Sequence, residues 1–347
     1  MDDSMKPITT EDILELMDSG YTSAALGAAM EWGLFWLLED QPMDVTGVAQ
    51  ALAIPQNRCG YWLQVLVKLG LLERVPNGYK PSSTARTAIL NVYGQESWAH
   101  LAQEARERLP VVSNLPQHLS QSASALASQG LTPPDYIAQM SESPERARRF
   151  TRMLYEIHQP LAEVLVQSLD MSGVDRLMDL GGGSGVVSLA LLRRYPQLTA
   201  VVVDIANVCA VGCEIAKENS MEDRITHYPA EFLHDELPSG FDMVLECDIN
   251  VYSEALFRKI WNALKPGGRL VIVDQFAPAE GVAPSSRLHW AFQNSMVNPD
   301  FHFPTAIEIQ TLLTQSGFQI LSMGALSLAA EMNTRFLNDF ALIEARK

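Results

Sequence analysis

Apolar positions recur at helical spacing through the first part of the chain and collect into short β-branched runs through the last part. Residues 10–105 read as helical. Thr10 is a plausible N-cap, with Glu11 and Asp12 in the first turn, and Ile13, Leu14, Leu16 and Met17 form an apolar face. Residues 23–38 are almost uniformly small or apolar, and a helix apolar on every side has to be covered on every side, which suggests a partner chain. Residues 45–53 and 57–69 predict two short helices on either side of Pro55. Residues 71–75 and 79–81 flank Pro76-Asn77-Gly78, and Asn-Gly between two strand-like runs is a strong hairpin signal. Helix, helix, hairpin is a winged-helix pattern.

Residues 104–168 read as mostly helical, interrupted at Pro133-Pro134. Ser143-Pro144-Glu145 opens a helix carrying Phe150, Met153, Leu154, Ile157 and His158. Beyond residue 174, strands and helices alternate. Strands are predicted at 176–180, 199–204, 225–228, 243–247, 269–274, 318–323 and 340–345, with helices at 185–195, 206–219, 253–264 and 306–316. That alternation defines an α/β unit with a parallel sheet covered on both faces, whose ligands bind at the carboxyl ends of the strands. Two domains are expected: 1–105, winged-helix-like, and 106–347, of which 106–170 is a helical linker carrying pocket helices.

Composition narrows the function classes. At 347 residues the chain is long enough for two cores, and a net charge of −16 opposes a polyanionic partner. The second helix of the winged unit offers Arg58 and Lys68 but otherwise a core face, so a DNA-binding regulator is the lesser reading and no nucleic-acid partner is expected. No apolar run is long enough for a membrane span, and the N-terminus lacks an apolar signal core, which points to the cytoplasm. Cys59, Cys209, Cys213 and Cys247 have no companion ligands at zinc spacing, so no metal is expected.

The segment Asp179-Leu180-Gly181-Gly182-Gly183-Ser184-Gly185 falls where the first strand of the α/β unit passes into its helix. Glycines there let a ligand approach the backbone, and the helix start offers free N–H groups. The nicotinamide pattern Gly-x-Gly-x-x-Gly is not met, because it reaches Val186 or Ser188 in its last position. The pattern present is led by an acid, and Asp179 suits a cationic sulfonium with an α-ammonium group. Asp204 closes the second strand and suits a ribose diol. Glu231, in Pro229-Ala230-Glu231-Phe232, is placed to approach an adenine amino group.

With Lys265-Pro266-Gly267-Gly268-Arg269 added, the chain resembles the plant-type caffeate/flavonoid O-methyltransferase family and its bacterial relatives over nearly its whole length. The resemblance implies a Rossmann-like seven-stranded methyltransferase domain with a reversed last hairpin and an N-terminal winged-helix dimerisation domain. It implies S-adenosyl-L-methionine held by Gly181, Gly183, Asp204 and Glu231, with Cys247 and Asp248 close by. It also implies a homodimer and a small-molecule acceptor, with Met153, His158, Asn250, Trp290, Gln293 and Asn294 on the acceptor side.

One part of the family pattern is missing. The family's His-Asp pair follows the fourth strand, where this chain reads Leu245-Glu246-Cys247-Asp248-Ile249-Asn250-Val251-Tyr252-Ser253. Another proton acceptor is required for a phenol, and His289, with Tyr252 as its hydrogen-bonding partner, is the expected one. A Tyr-Ser after a shortened fourth strand, with a later His, is similar to the bacteriochlorophyllide C-20 methyltransferase branch, so O- and C-methylation both stay open. A family member that binds the donor without transferring methyl, such as a decarboxylase or hydroxylase, is the alternative.

Overall fold

The computed structural model describes residues 8–127, 130, 135–326, 337 and 339–347, so Pro133-Pro134 lies outside the described residues. The chain divides into two compact units, residues 1–109 and 110–347.

In the first unit, Thr9 rather than Thr10 caps the opening helix Thr10–Met17, in a capping box with Asp12. The apolar segment 23–38 is not one helix. It is shared between Ser19–Glu31 and Leu34–Leu37, separated at Gly33, whose φ of 65° is left-handed. The break turns Leu34, Phe35 and Leu38 inward onto Ala29, Met30 and Leu63, and leaves Trp32 outside. Helices Val45–Ala51 and Gln56–Lys68 follow, then an antiparallel hairpin of β1 (Leu72–Val75) and β2 (Gly78–Pro81). The winged-helix pattern is present.

The second unit is built on a seven-stranded sheet. Its strands are β3 (Arg176–Leu180), β4 (Thr199–Asp204), β5 (Ile225–Pro229), β6 (Phe241–Cys247), β7 (Leu264–Gln275), β8 (Gln319–Ala325) and β9 (Phe340–Arg346), in the order β5-β4-β3-β6-β7-β9-β8. The pairings from β5 through β7 are parallel, and β9 runs antiparallel to both of its neighbours. β7 is longer than the 269–274 run predicts, because the Lys-Pro-Gly-Gly turn is drawn into the strand.

Strand alternation sends successive residues to opposite faces. Leu177, Val202, Leu245 and Val271 face the helices Gln159–Ser168, Val186–Arg194 and Ala206–Glu218. Met178, Val203, Val244 and Ile272 face Glu254–Ala263 and Ala306–Gln315. Both faces are buried, as a parallel sheet requires. The order reverses between β3 and β6, and the loops at the carboxyl ends there form the site.

Candidate active site

The bend after β3 is held from below. Asp179 is 1% exposed, and its Oδ2 accepts the Ser188 hydroxyl at 2.7 Å. A side chain on Gly182 would put its Cβ 2.5 Å from Asp179 Oδ1, so glycine is required there for the bend to close over the carboxylate. Asp179 is therefore a pillar beneath the bend. Burial raises its pKa to about 6 despite the Ser188 hydrogen bonds.

Asp204 ends β4 beside the bend. Its Oδ2 accepts the Gly183 amide at 2.9 Å and its Oδ1 accepts the Ile205 amide at 2.8 Å. Burial raises this carboxyl to about 6 as well. A Cβ built on Gly183 (φ 56°) meets only Asp204 Oδ2, at 4.0 Å, so the space on the side-chain face of this glycine is open. The Ala230 amide bonds to Asp204 O and brings Glu231 next to it, where Glu231 is half-exposed and paired with His234 at 3.3 Å. Asn207 Nδ2 bonds to Met140 O and Ser141 O at 2.9 Å, tying the helix Tyr136–Glu142 to the same wall. An open glycine cradle, a carboxylate with accepting capacity at a strand end, and a second acid across from it suit a nucleoside with a free ribose diol.

β6 ends in a strained turn. Asp248 and Asn250 are both left-handed, with φ of 55° and 52°, on either side of Ile249. Ile249 Cγ2 stands 2.7 Å from where a Gly181 Cβ would be, so the two loops interlock and only glycine fits at 181. Cys247, half-buried, precedes the turn, and burial with the nearby Asp248 charge pushes its thiol up.

Asp248 is not free for a ligand. Arg287 Nη2 reaches both of its carboxylate oxygens at 3.0 Å, and His158 Nε2 lies 3.1 Å from Oδ2. His158 Nδ1 lies 3.0 Å from Leu154 O, so both ring nitrogens face acceptors. Burial by itself would raise the Asp248 carboxyl, but the His158 bond and the Arg287 charge outweigh it and hold it below the usual carboxylate range. Arg287 also bonds to Gln275 and lies 6.0 Å over the Trp290 ring.

On the other side of the turn, Asp274 Oδ2 accepts the Asn250 amide at 3.0 Å and the Tyr252 hydroxyl, while Oδ1 accepts the Gln275 amide at 2.7 Å. Tyr252 thus bonds to Asp274, not to His289. Asn250 and Tyr252 line a cavity of about 500 Å³ with His302, Pro304, Ile307 and Glu308. His289 lines a second cavity of about 720 Å³ with Phe292, Phe301 and Phe303, and His302 and Glu308 border both.

The remaining residues expected on the acceptor side come from the helix Pro144–Ile157 and its C-cap and from the helix Leu288–Val297. Met153 is buried in the helix Pro144–Ile157, His158 is committed to Asp248, and Asn294 Nδ2 is spent on Trp290 O at 2.8 Å. Trp290 packs edge-on against Phe301 and Phe303, and Gln293 is half-buried on the same helix, Leu288–Val297. Sequence reading passed over Asp274, Arg287 and Glu246. The signal for two of them was available: an acid at the end of the apolar run Leu270–Val273, and another inside Val244-Leu245-Glu246-Cys247, is costly to bury unless it has work to do.

A doubly wound sheet with a reversed strand, an acid-led glycine bend and a buried carboxylate closing the next strand is the arrangement of an adenosyl-donor enzyme. The chain belongs to the O-methyltransferase family, whose domain model matches residues 92–319. It is 30% identical over 265 residues, 75% of each chain, to the 3-hydroxy-5-methyl-1-naphthoate 3-O-methyltransferase of Streptomyces sahachiroi. It is 26% identical over 289 residues to the L-tyrosine C(3)-methyltransferase of Streptomyces lavendulae, covering 80% of this chain and 78% of that one. Its fold is similar to the solved structure of PigF with SAH, with a TM-score of 0.82 at 19% identity over 98% of this chain and 100% of that one. The protein is an S-adenosylmethionine-dependent methyltransferase. Among the described residues, no helix is long and apolar enough to cross a membrane.

Proposed function

We propose that the enzyme methylates a flat aromatic small molecule, with a phenolic hydroxyl as its first acceptor. The observation that carries this reading is the cavity of about 720 Å³ walled by Phe292, Phe301 and Phe303, opening beside the one bordered by Tyr252 and Asn250 at the carboxyl end of the sheet. The naphthoate and tyrosine named for the two relatives above are aromatic, which supports the same acceptor class. The donor brings an activated methyl on a sulfonium, so the protein's work is alignment and removal of one proton. Gly181, Gly183, Asp204 and Glu231 hold the donor nucleoside in this reading, and the proton acceptor is drawn from Tyr252 and His289, which face the two cavities.

The test is incubation with methyl-labelled S-adenosylmethionine and a panel of hydroxynaphthoates and naphthols, read by mass spectrometry. The expected product carries a methyl group on oxygen in place of the phenolic proton. A methyl on ring carbon would move the reading to C-methylation, and label transfer only to aliphatic or nitrogen acceptors would overturn it.

The functional form is a cytoplasmic homodimer. Free thiols at Cys59, Cys209, Cys213 and Cys247 suit a reducing compartment. The face of the N-terminal helices that carries Leu14, Leu16, Met17 and Tyr21, each more than half exposed, suits a second copy of this chain.

A further inference from the structure

We propose that Tyr252 takes the acceptor's proton and that Asp274 drains it, so that this pair replaces the histidine missing after the fourth parallel strand. The inference rests on the phenolic reading above and deepens it.

The turn that ends β6 places Tyr252 in the cavity wall, and its hydroxyl donates to Asp274. Asp274 is 1% exposed and faces three donors: the Tyr252 hydroxyl, the Asn250 amide and the Gln275 amide. Three donors on one carboxylate are the surroundings of its ionised form. Its neighbour on the same face of the sheet, across on β6, is Glu246, fully buried, with neither oxygen hydrogen-bonded among the described residues. Burial and the Asp274 charge push the Glu246 carboxyl well up, so Glu246 is the neutral member of the pair and Asp274 the ionised one. Burial and the Asp248 charge raise Asp274 to about 6, close to the pH at which a general base is most effective.

The competing imidazoles are less suited. His158 has both nitrogens directed at Leu154 O and Asp248. His289 and His302 are exposed at the rim, where solvent competes for the proton.

The step balances as follows. The acceptor O–H bond breaks and its proton passes to Tyr252 Oη, whose own proton passes to Asp274 Oδ2. The acceptor oxygen forms its bond to the methyl carbon as the carbon–sulfur bond breaks, and that electron pair returns to sulfur. The products are the methyl ether, S-adenosylhomocysteine and protonated Asp274, which loses its proton to solvent between turnovers.

Wild type, Tyr252→Phe, Asp274→Asn and Asp274→Glu are assayed with S-adenosylmethionine and 3-hydroxy-2-naphthoate or 2-naphthol between pH 5 and 9. A thermal shift with S-adenosylhomocysteine checks that each variant is folded. Tyr252→Phe and Asp274→Asn should lower kcat by about 10²–10⁴-fold with little change in KM, and Asp274→Glu should recover part of the loss. Wild-type kcat should fall as pH drops below about 6, and Asp274→Asn should lose that limb. Full kcat in either variant, or a loss confined to KM, overturns the proposal. Infrared titration of the S-adenosylhomocysteine complex needs no acceptor. The Asp274 carboxyl band should titrate near pH 6, vanish in Asp274→Asn and move to higher pH in Tyr252→Phe. A wild type inert towards both phenols sinks the acceptor reading and leaves the band to decide: if Tyr252→Phe does not move it, the pair is wrong.

Discussion

His158 Nε2 lies 3.1 Å from Asp248 Oδ2, joining residues 90 positions apart in the chain. With Arg287 on the same carboxylate, the contact ties the end of the helix Pro144–Ile157, the strained turn after β6 and the start of the helix Leu288–Val297 into one cluster. The cluster therefore fixes these three elements relative to one another.

Removing Arg287 leaves the Asp248 charge buried with half its support. Arg287→Met is expected to cost about 2–4 kcal/mol in urea denaturation at pH 7, and adding Asp248→Asn should return part of that. The pH dependence has a definite sign. The Asp248 carboxyl is held below its unfolded value, so its contribution is present above about pH 3.9 and is lost as pH falls through the folded value. Wild type should therefore lose stability on acidification in that window more steeply than Asp248→Asn does; equal slopes would contradict the assignment.

Asp204 titrates in the opposite sense, because burial lifts it to about 6. Its ionised form is the better acceptor for a ribose diol. Calorimetry should find donor affinity flat above pH 7 and weakening by up to about tenfold per unit below pH 6. Asp204→Asn should bind the donor at least tenfold more weakly at pH 8 and show a flat profile.

The bend over Asp179 tolerates no side chain at Gly182, where a Cβ would come 2.5 Å from Asp179 Oδ1. Gly182→Ala should destabilise the protein by about 1–3 kcal/mol through overpacking and reduce the stabilisation by S-adenosylhomocysteine in thermal shift. The double variant Gly182→Ala with Asp179→Ala, which vacates the space, should refold better than Gly182→Ala alone.

In the first unit, Leu14 and Met17 are 58% and 77% exposed on a helix with no buried residue of its own. Leu14→Glu with Met17→Glu should shift sedimentation from dimer to monomer while leaving the unfolding free energy of a dilute sample in urea within about 0.5 kcal/mol of wild type. A monomeric wild type, or an unchanged dimer in the variant, would rule out this face.

The second unit was legible because its strands are pure in pattern. Arg176–Leu180 and Thr199–Asp204 are found at their predicted bounds, and the acid-led glycine bend falls between β3 and its helix. Ser23–Leu38 was less legible: with apolar residues on all sides, periodicity could not reveal the turn at Gly33, which is set by packing on Leu63 and its neighbours. The place of Asp204 at the end of the second parallel strand was readable from the sequence. The pairing of Asp248 with Arg287 and His158 was not, since it joins residues distant in sequence whose side chains carry no local pattern. The partner of Tyr252 was missed for the same reason: His289 looked suitable by type, but the strand register puts Asp274 beside it.

The antiparallel strand β9 lies between β7 and β8, and among the described residues β8 pairs with β9 alone. During synthesis, β8 therefore emerges from the ribosome with no seat in the sheet, and β7 waits with an open flank until residues 340–346 arrive to fill it. A ribosome stalled before that point would display two unpaired edges at once, the condition under which nascent chains most readily join one another and call for a chaperone.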